Sequence, residues 1–185
     1  MFVLFFSQNT FHYNSEYWSD YNEYNLPGGE TGFDTQETKL PSYWNTPFSK
    51  ICLGMKISQH INFIVINKQA NSLYSLIADG RYRNTSLGRN TWKTLIGLQG
   101  SLQPNCDKEG FNTASIDVRL GKARIGILGN NENDCIQCDS RIGFGTGGLH
   151  DDANTCGNED GESYVHVKAM GYILEIGRAS CRERV

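Results

Sequence analysis

Long hydrophobic runs are missing from this 185-residue sequence, and no stretch approaches the roughly 18 apolar residues of a membrane-spanning helix. We therefore expect no membrane span. An excess of positive charge is also missing, because 17 lysines and arginines face 20 aspartates and glutamates, for a net charge of −3. This balance argues against a nucleic-acid partner. Only four prolines and no repetitive tract are present, which argues against collagen or low-complexity sequence.

The sequence also lacks the sustained helical periodicity of long amphipathic helices. Residues 7–47 are rich in turn formers and aromatics and predict irregular structure with short strands. Branched and aromatic runs predict strands at 51–57, 61–66, 72–77 and 163–174, and a hairpin of 116–120 with 123–128. Residues 91–96 predict a short helix. We expect an α+β fold, predominantly β, with few short helices and long glycine-rich loops.

The two ends of the chain differ from the rest. Residues 176–185, IGRASCRERV, bring three arginines and a cysteine after an apolar strand, and they match an in-frame translation of a widely used sequencing adapter. We expect this segment to be an artefact outside the fold. Residues 1–6, MFVLFF, lack the basic region of a signal peptide. We therefore expect residues 1–175 to be a fragment of one domain, truncated at its N-terminus.

An acidic, glycine-rich segment spans residues 129–162, where eight carboxylates face one arginine, Arg141. Calcium takes six to eight oxygen ligands from carboxylates, amides and backbone carbonyls, and glycine lets backbone carbonyls turn inward around an ion. The segment therefore predicts a Ca²⁺ site, without the spacing of an EF-hand. The alternative is a solvated acidic loop, and composition does not choose between the two.

Three cysteines punctuate the same segment at positions 135, 138 and 156. Cys135 and Cys138 form a CxxC pair, which invites zinc, but a structural zinc site needs four ligands. The fourth would be Cys106, His150 or His166, at no standard spacing. We prefer disulfides in a secreted protein, with Cys52 pairing with a partner lost from the N-terminus; the cysteines assigned to disulfides are Cys52, Cys106, Cys135, Cys138 and Cys156.

Other motifs point away from catalysis. The GFGTGG run at 143–148 is followed by acids rather than by a helix, so it does not predict a phosphate loop. No G-x-S-x-G motif of a serine hydrolase is present. Glu30 and Asp34 could serve as the two carboxylates of a glycosidase, but nothing in the sequence fixes the distance between them. We do not expect an enzyme. Asn84 begins an N-glycosylation sequon, Asn-Thr-Ser, which supports an extracellular location.

From about residue 106 to 174 the chain resembles the C-terminal half of intelectins, the X-type lectins with a fibrinogen-like domain. The resemblance is carried by a strand with an asparagine turn and an acid (124–132), then Cys138, the glycine run 143–148, Asp152 and Cys156-Gly157-Asn158, and the closing strand 167–174. The stretches 28–33 and 43–48 also resemble fibrinogen-related secreted proteins of cnidarians.

The resemblance implies a calcium-dependent lectin fold in which a sugar diol completes the coordination of the ion beside an aromatic box. Asp152 occupies the place of the acidic ligand on the glycine loop, and Asp139 replaces an asparagine. The family's histidine ligand is not reproduced, since Arg141 and Ile142 lie near its place, and Tyr164 is the only aromatic candidate for the box. The candidate calcium ligands are Asp139, Asp151, Asp152, Asn154, Asn158 and Glu159; the candidate sugar contacts are His150 and Tyr164.

These residues predict an extracellular, calcium-dependent carbohydrate-binding module that catalyses no reaction. The alternative is a calcium-stabilised matrix or structural interaction module without a sugar pocket. The expected partners are glycans or extracellular matrix components, and a homo-oligomer is left open.

Overall fold

The computed structural model describes residues 5–6, 9–30, 33–149 and 155–176. Strands predominate; in chain order they are β1 (Phe5–Phe6), β2 (Phe48–Ile57), β3 (His60–Ala70), β4 (Arg83–Asn84), β5 (Asn105–Ala114), β6 (Lys122–Asn130), β7 (Ser140–Gly147), β8 (Cys156–Asp160), β9 (Val165–Lys168) and β10 (Met170–Ile176). The α-helices are α1 (Ser42–Asn45), α2 (Tyr74–Ile77) and α3 (Arg89–Thr94); short 3-10 helices cover Asn9–Phe11, Glu16–Trp18, Leu26–Glu30 and Gly97–Gln99. The predicted class, mostly β with few short helices, is confirmed.

The segment 9–47 is irregular where the structure describes it, as the turn-rich sequence predicts, but its short elements are 3-10 helices and α1 rather than the predicted short strands. Its aromatic side chains form part of the core, because Phe11, Trp18 and Tyr43 are all buried. The polar side-chain atoms of Trp18 and Tyr43 donate to backbone carbonyls: Trp18 Nε1 donates to His12 O at 2.9 Å, and Tyr43 Oη donates to Trp18 O at 2.8 Å. These bonds let large aromatics be buried without an unpaired polar atom.

One sheet has four strands in the order β1-β10-β2-β3, all antiparallel to their neighbours. The strands predicted at 51–57 and 61–66 are confirmed as parts of β2 and β3. The closing strand predicted at 163–174 is also present, but it is divided at Ala169 into β9 and β10, which belong to different sheets. The strand therefore breaks at Ala169 because its two halves pair with different sheets. Gly171, a glycine within the predicted strand, lies inside β10 and does not interrupt it.

The strand predicted at 72–77 is wrong, because this stretch contains helix α2. The adjacent residues Leu76 and Ile77 are both buried on this helix, whereas consecutive side chains of a strand point to opposite faces. The side chain of Ser72 accepts a hydrogen bond from Ser75 N at 3.2 Å, which satisfies a free donor of the first helical turn. The short helix predicted at 91–96 is present as α3, shifted by two residues.

The second sheet has six strands in chain order, β4 to β9, each antiparallel to the next. The predicted hairpin strand at 123–128 is confirmed within β6, but its partner at 116–120 is wrong. The partner is β5, and residues 115–121 form the connection. There Asp117 Oδ1 accepts a hydrogen bond from Arg119 N at 3.1 Å, and the apolar Ile116 and Val118 are exposed. A side chain that bonds its own backbone favours a turn over a strand.

The glycine run at 143–147, expected as a loop, forms most of β7, which is buried along its whole length. Gly143 lies opposite Gly126 on β6 and opposite Gly157 on β8. A Cβ on Gly143 would lie 2.6 Å from Ile125 O, and one on Gly126 would lie 2.5 Å from Ile142 O. The glycines therefore allow the close approach of neighbouring backbones and do not mark a loop.

A continuous buried cluster draws on both sheets, with Ile51, Leu53 and Met55 from β2 and Ile125 and Ile142 from the larger sheet. A second cluster covers the other face of the smaller sheet, where Tyr172 and Leu174 pack with Phe63. Within the described ranges, no helix combines the length and the apolar character needed to cross a membrane.

Candidate functional site

The acidic segment 129–162 contains the last two residues of β6 and the whole of β7 and β8, all in the larger sheet. The predicted calcium ligands are therefore divided. Asp139 precedes β7, and Asn158 and Glu159 lie within β8. Asp151, Asp152 and Asn154, together with the predicted sugar contact His150, lie outside the described residues.

Asn158 is fully buried, and its amide joins three parts of the chain. Its Oδ1 accepts a hydrogen bond from Ser101 N at 2.7 Å, and its Nδ2 donates to Ser101 O at 2.8 Å and to Arg141 O at 3.0 Å. Both ends of the amide are thus bonded to backbone. The geometry gives Asn158 a positioning function, since it holds the segment around Ser101 against the edge of β7 and β8.

Glu159 is a buried carboxylate with little compensation from hydrogen bonds. Its exposed fraction is 0%, and neither carboxylate oxygen accepts a hydrogen bond within the described part of the chain. His166 Nδ1 lies 2.5 Å from Oε1, as an ion pair if the imidazole is protonated, and Arg141 lies opposite Glu159 in the β7–β8 register. An ionised carboxylate that is removed from water needs nearby cations or donors. His166 is such a group at Oε1, and no described residue donates a hydrogen bond to Oε2.

Oxygen atoms gather at the same end of β8. Asp160 is 1% exposed; its Oδ2 accepts a hydrogen bond from Ser101 Oγ at 2.5 Å, and its Oδ1 accepts one from Ser163 N at 3.2 Å. Gln103 Nε2 donates to Glu162 Oε2 at 3.4 Å, while Gln103 Oε1 is buried and has no hydrogen-bond partner among the described residues. Carboxylate and amide oxygens are the ligands that calcium prefers. Sequence reasoning missed Ser101 and Gln103, because they approach β8 from more than fifty residues away.

Tyr164 lies in the turn between β8 and β9 and is 85% exposed. Its backbone is in the left-handed region, at φ 52°, which presents the side chain at the tip of the hairpin. An exposed tyrosine beside an acidic cluster is available to stack on a sugar ring. Its predicted function as a sugar contact stays a prediction.

The described carboxylates do not by themselves form a compact ligand set. Over the described ranges, one group of three or more His, Cys, Asp or Glu side chains has all its ligand atoms within 4.8 Å of one another, and that group consists of Cys106, Cys135 and Cys138. A calcium site beside β8 therefore depends on further oxygens, and Asp151, Asp152 and Asn154 are the predicted ligands that precede this strand in the sequence.

The cysteines differ from the predicted set of disulfides. Cys106 and Cys135 form a disulfide, and Cys52 is also disulfide-bonded, whereas Cys138 and Cys156 are buried free thiols. The prediction of disulfides at Cys138 and Cys156 is therefore wrong. Cys138 Sγ lies 3.5 Å from Cys106 Sγ, but a sulfur that is already bonded to Cys135 cannot form a second disulfide. Cys156 lies inside the core, where burial raises the pKa of its thiol.

The glycosylation sequon lies on the edge of the larger sheet. Asn84 is exposed at the end of β4, and the hydroxyl residue of the sequon, Ser86, is exposed as well. Both are accessible to modification, and glycosylation of Asn84 stays a prediction.

Comparisons with protein-family models, with curated proteins and with solved structures find no match to this chain.

Proposed function

We propose that this chain is an extracellular, calcium-dependent carbohydrate-binding module, with its calcium beside β8. One observation carries the proposal: Glu159 is completely buried, its Oε1 lies 2.5 Å from His166 Nδ1, and its Oε2 accepts no hydrogen bond from a described residue. Asp151, Asp152 and Asn154 stand five to eight residues earlier in the sequence, just before β8. A divalent cation would compensate these negative charges.

Electrostatics at this end of the sheet favours a cation. Asp139, Glu159, Asp160 and Glu162 supply four carboxylates, against the guanidinium of Arg141 and the imidazole of His166, which lies 2.5 Å from Glu159 Oε1. Uncompensated like charges repel one another, and the repulsion is stronger where the groups are withdrawn from water.

A bound calcium would polarise and orient two neighbouring sugar hydroxyls, and no bond in the sugar would be broken. Glu159 would hold the ion through Oε2, with Asp152 as a second carboxylate ligand. His150 and Tyr164 are the side chains that we assign to the sugar itself. Selectivity for vicinal diols would follow, because two adjacent hydroxyls can occupy neighbouring coordination positions of one ion.

A glycan array tests the proposal, with the protein applied in calcium and again in excess EDTA. We expect binding in calcium that EDTA abolishes, together with a melting temperature that calcium raises. A melting temperature raised by calcium without any glycan signal would instead favour the structural or matrix module. If calcium alters neither quantity, the calcium site is absent and both functions are excluded.

A further inference from the structure

We propose that Cys106, Cys135 and Cys138 form a binding site for one soft divalent metal ion, Zn²⁺ or Cd²⁺, when the Cys106–Cys135 disulfide is reduced. This site is separate from the proposed calcium site, and it uses sulfur rather than oxygen ligands. In the oxidised chain the same three sulfur atoms hold the disulfide and one free thiol, so the two states exclude each other.

The sulfur positions fit a metal–thiolate site. All three Sγ atoms lie within 4.8 Å of one another, and Cys138 Sγ lies 3.5 Å from Cys106 Sγ. With zinc–sulfur bonds of about 2.3 Å, neighbouring sulfurs of a tetrahedral site stand about 3.8 Å apart. The three sulfur atoms are therefore already close to the spacing of a metal–thiolate site.

The backbone around the sulfurs brings together residues that are distant in sequence. β5 carries an irregularity between Asn105 and Lys108, where Cys106 and Asp107 have φ values of 73° and 52°. Such bulges re-aim side chains relative to a regular strand. On the other side, Gly121 N donates to Cys138 O at 3.0 Å and Cys138 N donates to Ser115 Oγ at 3.2 Å, which anchors the CxxC segment.

The charges around Cys138 come from both sides of the site. Burial raises the pKa of the Cys138 thiol, the Ser115 hydroxyl and the Lys108 ammonium lower it, and the carboxylates of Asp139 and Asp134 raise it. Coordination to a metal ion deprotonates a thiol outright.

The chemistry balances with a dithiol as reductant. Two thiol–disulfide exchanges transfer two electrons to the Cys106–Cys135 bond; the two cysteines become thiols and the reductant becomes a cyclic disulfide. Three thiols then bind one divalent ion and release three protons, which leaves a site of net charge −1. The fourth coordination position is taken by water, because no fourth cysteine or histidine ligand atom lies in the group over the described ranges.

The test is a Cd²⁺ titration of the full chain, reduced and then freed of reductant without oxygen, followed by the ultraviolet absorption of cadmium–thiolate bonds. We expect one ion per chain in the reduced protein and none in the oxidised protein. Cys138→Ser should weaken binding by about tenfold or more, because losing a direct ligand costs no less than losing an outer one. Cys156→Ala, which removes a buried thiol outside the site, should leave the titration unchanged.

A second measurement keeps the test independent of folding. In wild type, Cd²⁺ should protect Cys106, Cys135 and Cys138 together from alkylation, as located by mass spectrometry. Cd²⁺ should protect the same three cysteines equally in the Glu159→Gln variant. The proposal is overturned if the reduced chain takes up no Cd²⁺, if protection omits any of the three cysteines, or if Glu159→Gln abolishes binding. The last result would place the ion at the carboxylates of β8.

Discussion

Trp92 Nε1 donates a hydrogen bond of 2.8 Å to Glu109 Oε2, deep in the contact between α3 and β5. The same oxygen accepts bonds from Thr85 Oγ1 at 2.6 Å and from Leu87 N at 3.0 Å, and Oε1 accepts one from Gly88 N at 2.8 Å. One carboxylate on β5 thus holds the edge strand β4 and the beginning of α3.

Replacing this carboxylate should destabilise the fold in a pH-dependent way. Burial raises the pKa of Glu109, but the four hydrogen bonds outweigh burial and lower it below its ordinary value. The stabilisation is therefore present above the unfolded-state pKa and is lost as the pH falls through the folded-state pKa. We expect Glu109→Gln to cost about 2–3 kcal/mol at pH 7 in urea unfolding, and less in acid. The exposed Glu23→Gln is the control and should change little at either pH.

Glu175 should change stability with pH in the direction opposite to Glu109. Its side chain on β10 is buried, Leu73 N donates to its Oε1 at 3.0 Å, and Oε2 has no hydrogen-bond partner within the described ranges. Burial raises its pKa to about 8. The protonated form is therefore favoured by folding, and stability is lost as the pH rises from the unfolded pKa, about 4.5, towards 8.

Glu175→Gln removes this titration while keeping a neutral side chain of the same shape. We expect the variant to be more stable than wild type at pH 8, by about 2 kcal/mol, and nearly equal to it at pH 4. Melting temperatures across this range measure the difference. A wild-type stability that does not fall between pH 5 and 8 relative to the variant would contradict the prediction.

Two glycines with similar backbone conformations allow a matched comparison. Gly145 on β7 and Gly80 in a turn have φ values of 59° and 69°. A Cβ on Gly145 would lie 2.5 Å from Trp18 Cζ2, whereas a Cβ on Gly80 would have no atom within 4 Å. Both alanine variants carry the cost of a left-handed residue, about 1 kcal/mol, and Gly145→Ala adds overpacking of about 2 kcal/mol. If both variants lose the same free energy of unfolding in urea, the Trp18 ring moves away from the added methyl group without cost, which would contradict the prediction.

The calcium proposal predicts a clear order among three variants. Asp152→Ala and Glu159→Gln should each lower calcium affinity by about tenfold or more, because each removes one charged ligand. Glu23→Ala removes an exposed acid far from the segment in sequence and should leave affinity unchanged. Isothermal titration calorimetry measures all three. Equal titrations for Asp152→Ala and Glu23→Ala would remove Asp152 from the site, and an unchanged Glu159→Gln would remove the buried carboxylate.

Local pattern was sufficient where a segment's neighbours in sequence decide its structure. The apolar, branched runs at 51–57 and 61–66 predict strands, which pair with each other as β2 and β3, and the run at 91–96 predicts the short helix that the chain forms at Arg89–Thr94. The mostly β class follows from the absence of long amphipathic periods. The acidic character of 129–162 is equally a property of the sequence alone.

Long-range pairing decided the rest. Cross-strand contact with Gly126 and Gly157 makes Gly143 part of a strand, although glycine runs favour loops locally. The disulfide of Cys106 joins residues 29 apart, and Ser101 reaches Asp160 across 59 positions. Which cysteines meet, and which carboxylates are withdrawn from water, depends on sheet register. Register is a property of the whole packed chain, because the free energy of each pairing includes the burial that all the other pairings permit.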